Sequence, residues 1–285
     1  MLSLHTNNAS LSAQNSIAKP QSQLSTSMTR LSTGYRINSA MDDAAGLQIA
    51  TRLKAQTSGM TVAMSNTQNS TSLLQTAEGA FAEVTNMLVR MKDLATQAAD
   101  ASSNGSDKTA MQAEYDALGL ELGNVMKNTT FGGQGLLTGG TIANAAGMTF
   151  QIGAAASETM TIKLDTAMAS VATSLTSASA NHNAAVTGTE LTAAANAAIG
   201  SLVSAIDSVS VVRSALGAAA NRLDHVNSNL SNISTNTKAA TGRIMDVDFA
   251  TESSNMTSSQ MLLQAGTAML KQSNSMSSMV MSLLQ

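Results

Sequence analysis

No cysteine and no tryptophan occur among the 285 residues, and proline occurs once, at position 20. The missing cysteine excludes disulfides and thiolate metal sites. Phe and Tyr together supply only 2% of residues, too few rings for a typical aromatic-lined small-molecule pocket. Charged side chains are also scarce, at 12%, and their balance is −3, so the electrostatic footprint of a nucleic-acid binder is absent. No run of about 18 apolar residues is found, so no transmembrane helix or membrane insertion is expected. The start, MLSLHTNNASLSAQNSIAKPQ, lacks the basic segment and apolar run of a Sec-type signal. Composition alone would place such a chain in the cytoplasm.

What is present is methionine, 19 of them, beside abundant Ala, Ser, Thr and Asn. Methionine is flexible and fills irregular gaps, and small side chains let helices approach closely. The composition therefore points to helices packed on helices.

Periodicity carries the strongest signal. Leu191, Ala195, Ala198, Leu202, Ala205, Val209, Val212, Leu216, Ala219, Leu223, Val226, Leu230 and Ile233 alternate spacings of four and three. That is an a/d heptad seam, about 65 Å of helix, which needs a partner to be stable. Leu74, Ala77, Phe81, Val84, Leu88, Met91, Ala95 and Ala98 repeat the alternation, as do Met111, Tyr115, Leu118, Leu122 and Val125. Between the last two, DASSNGSDK reads as a turn with Ser or Asp to cap the next helix. A long helix from about residue 55, a turn and a returning helix to about 127 are expected. The segment 131–164 is Gly-rich and holds two alternating runs, 148–152 and 160–164, which predict a small β-hairpin. Residues 165–189, rich in Ala, Ser and Thr, read as a linker.

Residues 1–29 carry one charge, Lys19, and residues 253–285 carry one, Lys271. A surface helix normally keeps a charged face. Leu262, Met269, Met276 and Leu283 recur every seven residues, with Leu263, Leu270 and Leu284 alongside, and Leu24, Met28, Leu31 and Tyr35 follow heptad spacing near the start. These ends are expected to be buried on most sides in something larger. Pro20 should bend a helix or mark where one starts.

One stretch stands out chemically: LSTGYRINSAMDDAAGLQIATRL, residues 31–53, sets Asp42 and Asp43 among alanines with Arg36 and Arg52 on either side. As a general acid and base the two aspartates fail on geometry, because adjacent residues on a helix point about 100° apart. His5, His182 and His225 are scattered without metal-ligand spacing and read as ordinary polar positions. The glycines at 132, 133, 135, 139 and 140 lack the GK[ST] sequel of a phosphate loop.

That stretch, the stretch LVRMKDLATQAAD, and GRIMDVDFATESSNMTSSQMLLQAGTAMLKQSNSMSSMVMSLLQ at the end together resemble bacterial flagellin. The likeness covers residues 1–170 and 188–285. It implies a mainly α fold, a long antiparallel coiled-coil-like bundle with a small β-hairpin, the two termini forming a separate helical layer. On this resemblance residues 1–40 are an inner-tube helix and joint and 41–170 the first part of a surrounding shell. Residues 171–240 are linker and second shell helix, and 241–285 the C-terminal inner-tube helix. The gap at 165–189 marks a short, minimal member without outer variable domains.

The implied function is a structural subunit that polymerises into the extracellular flagellar filament for motility, not an enzyme, with no cofactor and no metal. Rival readings are the flagellin-like hook–filament junction protein and, from another class, a secreted coiled-coil translocator or adhesin. Export as an unfolded chain through the flagellar type III apparatus would explain the missing signal and fits the absence of cysteine. Implied partners are further copies of itself, the flagellar cap and hook-junction proteins, and a cytosolic export chaperone covering roughly 245–285.

Gly34 should cap the first helix. Asn38, Ser39 or Asp42 should cap the next, with Asp42 and Asp43 in its first turn. Arg36 and Arg52 are expected to pair with Asp246, Asp248 and Glu252 within or between subunits. Leu24, Met28, Leu31, Leu262, Leu263, Met269, Leu270, Met276, Leu283 and Leu284 are the expected inner-tube packing residues. Arg90, Leu94 and Glu114 match positions through which an animal Toll-like receptor recognises family members, with Leu94 expected on the exposed surface because it lies off the 74–98 seam.

Overall fold

The computed structural model describes residues 7–182 and 187–283. Two compact units are formed, one from residues 1–57 with 235–285 and the other from 58–234. Helix α2 (Ala44–Ala99) and helix α5 (Glu190–Met245) each contribute to both.

In the 58–234 unit, α2 is followed by α3 (Gly105–Asn128). The turn between them ends on Asn104, whose side chain accepts from the Asp107 N–H while the Asp107 carboxylate accepts from the Asn104 N–H. This is a capping box, built on Asn104 rather than on the expected Ser or Asp. Two small antiparallel ribbons follow. The first, β1 (Thr130–Phe131) with β2 (Gln134–Gly135), has no signature in the sequence pattern. The second, β3 (Met148–Gln151) with β4 (Thr159–Ile162), is the expected hairpin. Its register pairs Met148 with Ile162 and Thr149 with Thr161. Met148, Met160 and Ile162 face the core, and the two threonine hydroxyls meet on the outer face at 3.1 Å, a favourable cross-strand pair.

The stretch read as a linker is instead helical. Helix α4 (Asp165–Ala178) buries Met168, Val171, Leu175 and Ala178, and a 3₁₀ turn (Ala180–His182) follows. The buried positions keep the three–four spacing of the other seams; the abundance of Ser and Thr between them disguised it. Those hydroxyls need no solvent partner, since Ser170, Thr173, Ser174, Thr176 and Ser177 donate to carbonyls four residues back.

The seams of α2, α3, α4 and α5 close on one core. Phe81, Leu88, Met91, Tyr115, Leu122, Leu175, Leu202, Val209 and Leu216 are all essentially buried. The seam predicted over 191–233 is buried from Leu191 through Leu223 and again at Leu230, while Val226 is half-buried and Ile233 is exposed. By length and hydropathy α5 could cross a membrane; here its apolar seam is spent on this core. The Tyr115 hydroxyl donates to the Ala178 carbonyl, and burial pushes its phenol well above the usual range.

The start of α5 is held in an unusual way. The Leu191 N–H donates to Oε1 of Gln112 at 2.7 Å, and the Gln112 amide donates to Asp116 and Glu190. A side chain from α3 thus takes up one of the N-terminal N–H groups of α5. His182, read as an ordinary polar residue, is buried. Its backbone carbonyl lies against Gly123 of α3 so closely that a Cβ there would sit 2.2 Å from it. Burial lowers the His182 pKa, and the Lys127 charge lowers it further against a hydrogen bond with Ser179.

Candidate interaction surfaces

The unit formed by 1–57 and 235–285 is built on α1 (Asn8–Thr33) and α6 (Phe249–Leu283), which pack along each other. The Asn7 amide donates to the Ser273 carbonyl and Ser27 donates to Glu252, so the helices run antiparallel. On α1 the least exposed positions are Ser10, Ala13, Ile17, Pro20, Leu24, Ser27 and Leu31, with Arg30 beside the last of them. On α6 they are Glu252, Met256, Ser259, Leu263, Gly266, Leu270 and Ser273. Both sets alternate three and four, the signature of a coiled-coil seam. The axes come close: a Cβ at Gly266 would lie 2.7 Å from Ile17.

Helix α1 starts at Asn8 and continues through Pro20, so Pro20 does not mark its start. Asn7 caps it, accepting from the Ser10 N–H. Gly34 ends it in the left-handed conformation at φ 76°, its N–H bonded to the Arg30 carbonyl, as expected of a C-cap glycine.

The seam includes a polar layer that the apolar pattern could not show. Glu252 is buried, with the Ser27 hydroxyl on one oxygen and the Arg30 guanidinium 3.6 Å from the other. Arg30 Nε is itself buried without a partner.

The joint beyond Gly34 differs from expectation. The Arg36 N–H donates to the Met245 carbonyl, the Val247 N–H to the Gly34 carbonyl, and Tyr35 and Asp246 form an isolated antiparallel bridge. The Arg36 guanidinium donates to the Ile244 carbonyl at 2.9 Å. Within the chain it therefore binds backbone, and Glu252 is taken by Ser27 and Arg30. Asp248 caps α6, accepting from the Ala250 N–H and the Thr251 hydroxyl, and these bonds, the hydroxyl foremost, hold its carboxyl below the usual range. Arg52 is exposed. The expected pairing of Arg36 and Arg52 with Asp246, Asp248 and Glu252 is thus not formed inside the subunit.

The two aspartates have different tasks. Asp43 is the N-cap of α2, accepting from the Gly46 N–H at 2.8 Å while its carbonyl accepts from Leu47. Asp42 folds the preceding turn, accepting from the Asn38 and Ser39 N–H groups. Those two N–H bonds, Ser39 first, lower its pKa. Neither lies in the first helical turn, because α2 begins after them.

Outside the α1–α6 seam the pair is apolar again. Leu11, Met28, Met261, Leu262, Met269 and Met276 are each more than half exposed. The residues expected to pack together therefore separate. Leu24, Leu31, Leu263 and Leu270 are half-buried at the seam, whereas Met28, Leu262, Met269 and Met276 point away from it. The Leu283 side chain and Leu284 lie outside the described residues, as does His5. On α1 the seam uses Ser27 where the apolar pattern favoured Met28.

On the other unit, Arg90 Nε and Nη2 donate to Oε1 of Glu114 at 2.9 and 2.7 Å, and both side chains are about half exposed. Leu94 is not beside them on the surface. It is 2% exposed and belongs to the core, because the core of this helix is wider than a strict a/d seam. Among the described residues no group of His, Asp or Glu is placed to hold a metal ion.

Two protein-family models match the chain: the bacterial flagellin N-terminal helical region over residues 4–141 and the C-terminal helical region over 198–284. Flagellin A of Vibrio anguillarum is 33% identical over an alignment of 377 residues that covers all of both chains. The chain belongs to the flagellin family. Flagellin A of Vibrio cholerae serotype O1 is 32% identical over 381 residues, again covering both chains fully. Both alignments are longer than this chain, so these relatives hold stretches that it lacks. A solved flagellar hook-associated protein of Vibrio parahaemolyticus superposes with a TM-score of 0.56 over 72% of this chain and 100% of its own, at 16% identity, a likeness of fold alone. This member of the family is a structural subunit of the extracellular flagellar filament, used for motility.

Proposed function

We propose that the α1–α6 pair is the polymerisation element, its inner seam closed within the subunit and its outer stripe closed by neighbouring copies in an inner tube. The observation that carries this reading is the stripe itself: Leu11, Met28, Met261, Leu262, Met269 and Met276 are exposed on segments whose only charges are Lys19 and Lys271 over 1–29 and 253–285. Large apolar side chains exposed in such number on one helix pair point to an interaction site, and their burial contributes about 25 cal/mol per Å². Leu24, Leu31, Leu263 and Leu270 serve the same layer from the seam, and the sequence spacing carries the pattern on to Leu283 and Leu284. In the domain scheme, 1–40 and 241–285 form this layer and 41–170 and 171–240 the shell.

Arg36, Asp42, Asp43, Arg52, Asp246 and Asp248 sit at the joint, where Arg52 and Asp246 are exposed and suited to pairing between copies. The flagellar cap and hook-junction proteins bind the assembled ends of the same element. A cytosolic export chaperone covers about 245–285 before export, preventing premature pairing of its apolar stripe. The Arg90–Glu114 pair forms the exposed part of a patch for an animal Toll-like receptor, with Leu94 supporting it from below. The chain has no catalytic role.

Electron microscopy of the purified protein, salted toward polymerisation beside a truncation ending near Ser253, tests the central claim. Long tubes from the full chain and none from the truncation are expected. Tubes from both would remove α6 from the assembly element; short rings from the full chain would favour a junction protein.

A further inference from the structure

Two groups of methionines in this chain contrast in exposure. Met60, Met91, Met148 and Met168 are at most 4% exposed, inside the 58–234 unit. Met28, Met261, Met269 and Met276 are exposed to 57, 58, 68 and 55%, and all four lie on α1 or α6 outside the seam, with Met279, 62% exposed, following them on α6. Thioether oxidation follows exposure, so the accessible sulfurs are concentrated on the stripe whose burial is proposed to drive assembly.

We infer that these four methionines are an oxidation-sensitive site that switches polymerisation off in the free subunit. The inference rests on the assembly face proposed above. The chemistry needs only a peroxide. One oxygen of hydrogen peroxide is transferred to sulfur, the S–O bond forming as the O–O bond breaks. Sulfur is oxidised by two electrons and the peroxide is reduced, leaving as water. The product sulfoxide is polar and chiral where the thioether was apolar and flexible. Exposed in a free subunit, it is solvated and harmless. Buried against a neighbour, it must find a hydrogen-bond donor or disfavour the contact. Four such groups on the outer surface of one helix pair oppose assembly together. Filaments, having closed the stripe, are protected, so the switch acts on subunits before they add.

The test treats purified full-length subunits with hydrogen peroxide, maps sulfoxides by peptide mass spectrometry, and measures polymer yield by sedimentation. Oxidation at Met28, Met261, Met269 and Met276 is expected to lower the yield about tenfold or more, with the helical signal of the subunit unchanged. Methionine sulfoxide reductase should restore assembly of the same sample. The variant M28L/M261L/M269L/M276L keeps side-chain volume and should assemble after peroxide, whereas M279L alone should stay peroxide-sensitive; if the quadruple variant fails to assemble untreated, the reductase rescue decides. Met41, 95% exposed and on neither helix, is the control: peroxide resistance conferred by M41L alone would overturn the assignment to the stripe. Full yield from subunits carrying all four sulfoxides would also overturn it. Peroxide footprinting of preformed filaments separates the two claims. Protection of the four sulfurs with undiminished yield from oxidised subunits sinks only the switch. Equal oxidation in filament and subunit sinks the assembly face as well.

Discussion

The Ser27 hydroxyl donates to Glu252, 225 residues away along the chain, at a buried layer of the α1–α6 seam. A lone carboxylate would not be stable there; Arg30, 3.6 Å from its second oxygen, and Ser27 satisfy it together. Because only one alignment of the two helices brings Ser27, Arg30 and Glu252 level, the layer fixes their register, as single polar layers do in coiled coils.

Replacing Glu252 by Ala should therefore destabilise the helix pair by roughly 1–3 kcal/mol, since Ser27 and Arg30 are left unpaired in a seam. Glu252→Gln retains the shape and one acceptor and should cost less. Thermal melts of the isolated subunit, followed by circular dichroism, distinguish them; equal melting of both variants and the parent would deny the layer any structural role.

Neighbouring leucines on α6 should behave oppositely. Leu263 faces the seam and Leu262 faces outward. Leu263→Asp should lower the helicity of the subunit. Leu262→Asp should leave the helicity intact and abolish sedimentable polymer. Loss of polymer with intact helicity from both variants would show that the seam is not formed in the free subunit.

Gly123 and Gly200 make a matched pair of helix glycines. A Cβ at Gly123 would lie 2.2 Å from the His182 carbonyl oxygen, whereas nothing lies within 4 Å of one at Gly200. Gly123→Ala should lift the 3₁₀ turn from α3 at a cost of roughly 1–3 kcal/mol. Gly200→Ala should stabilise by roughly 0.5–1 kcal/mol through helix propensity. Urea midpoints measure both, and a stabilised Gly123→Ala would refute the close packing of turn on helix.

His182 makes stability depend on pH in one direction. Burial and Lys127 lower its folded pKa below the ordinary 6.5. The unfolded state then binds more protons in the window beneath 6.5, so stability rises with pH there. The contribution is fully present above about pH 6.5 and is lost as pH falls through the lowered folded value. Urea midpoints between pH 5 and 7.5 should show that slope, and His182→Gln should flatten it. An unchanged slope in the variant would assign it to other groups.

Around Arg90 the surface and the core should separate. The Arg90–Glu114 pair is about half exposed, and removing either partner should change stability by about 1 kcal/mol or less. Leu94→Ala should cost roughly 2–5 kcal/mol, because it opens a cavity in the core. Receptor signalling is then best tested with Arg90 and Glu114 changed together; an unchanged dose response would exclude them from recognition, and a loss seen only with Leu94→Ala would reflect stability.

The sequence by itself determined the elements whose physics is local. A three–four repeat from Leu191 to Leu230, its counterpart from Leu74 to Ala98 and the alternation in the 148–164 hairpin each have a period that one residue type, the apolar one, reports directly. The Gly34 cap is local in the same way. Tertiary structure decided what apolarity does not encode. Helix α4 hid in a Ser- and Thr-rich stretch because its hydroxyls bond their own helix. Which stripe of α6 faces α1 depended on Ser27, Gly266 and Glu252, residues that carry packing or charge without hydrophobicity. Leu94 was placed outside the seam by spacing and inside the core by the breadth of the bundle around it. Periodicity fixes which faces a helix has. Which of two apolar faces closes within the chain, and which is left for another copy, is settled only by complementary shape and polar pairing across residues hundreds of positions apart.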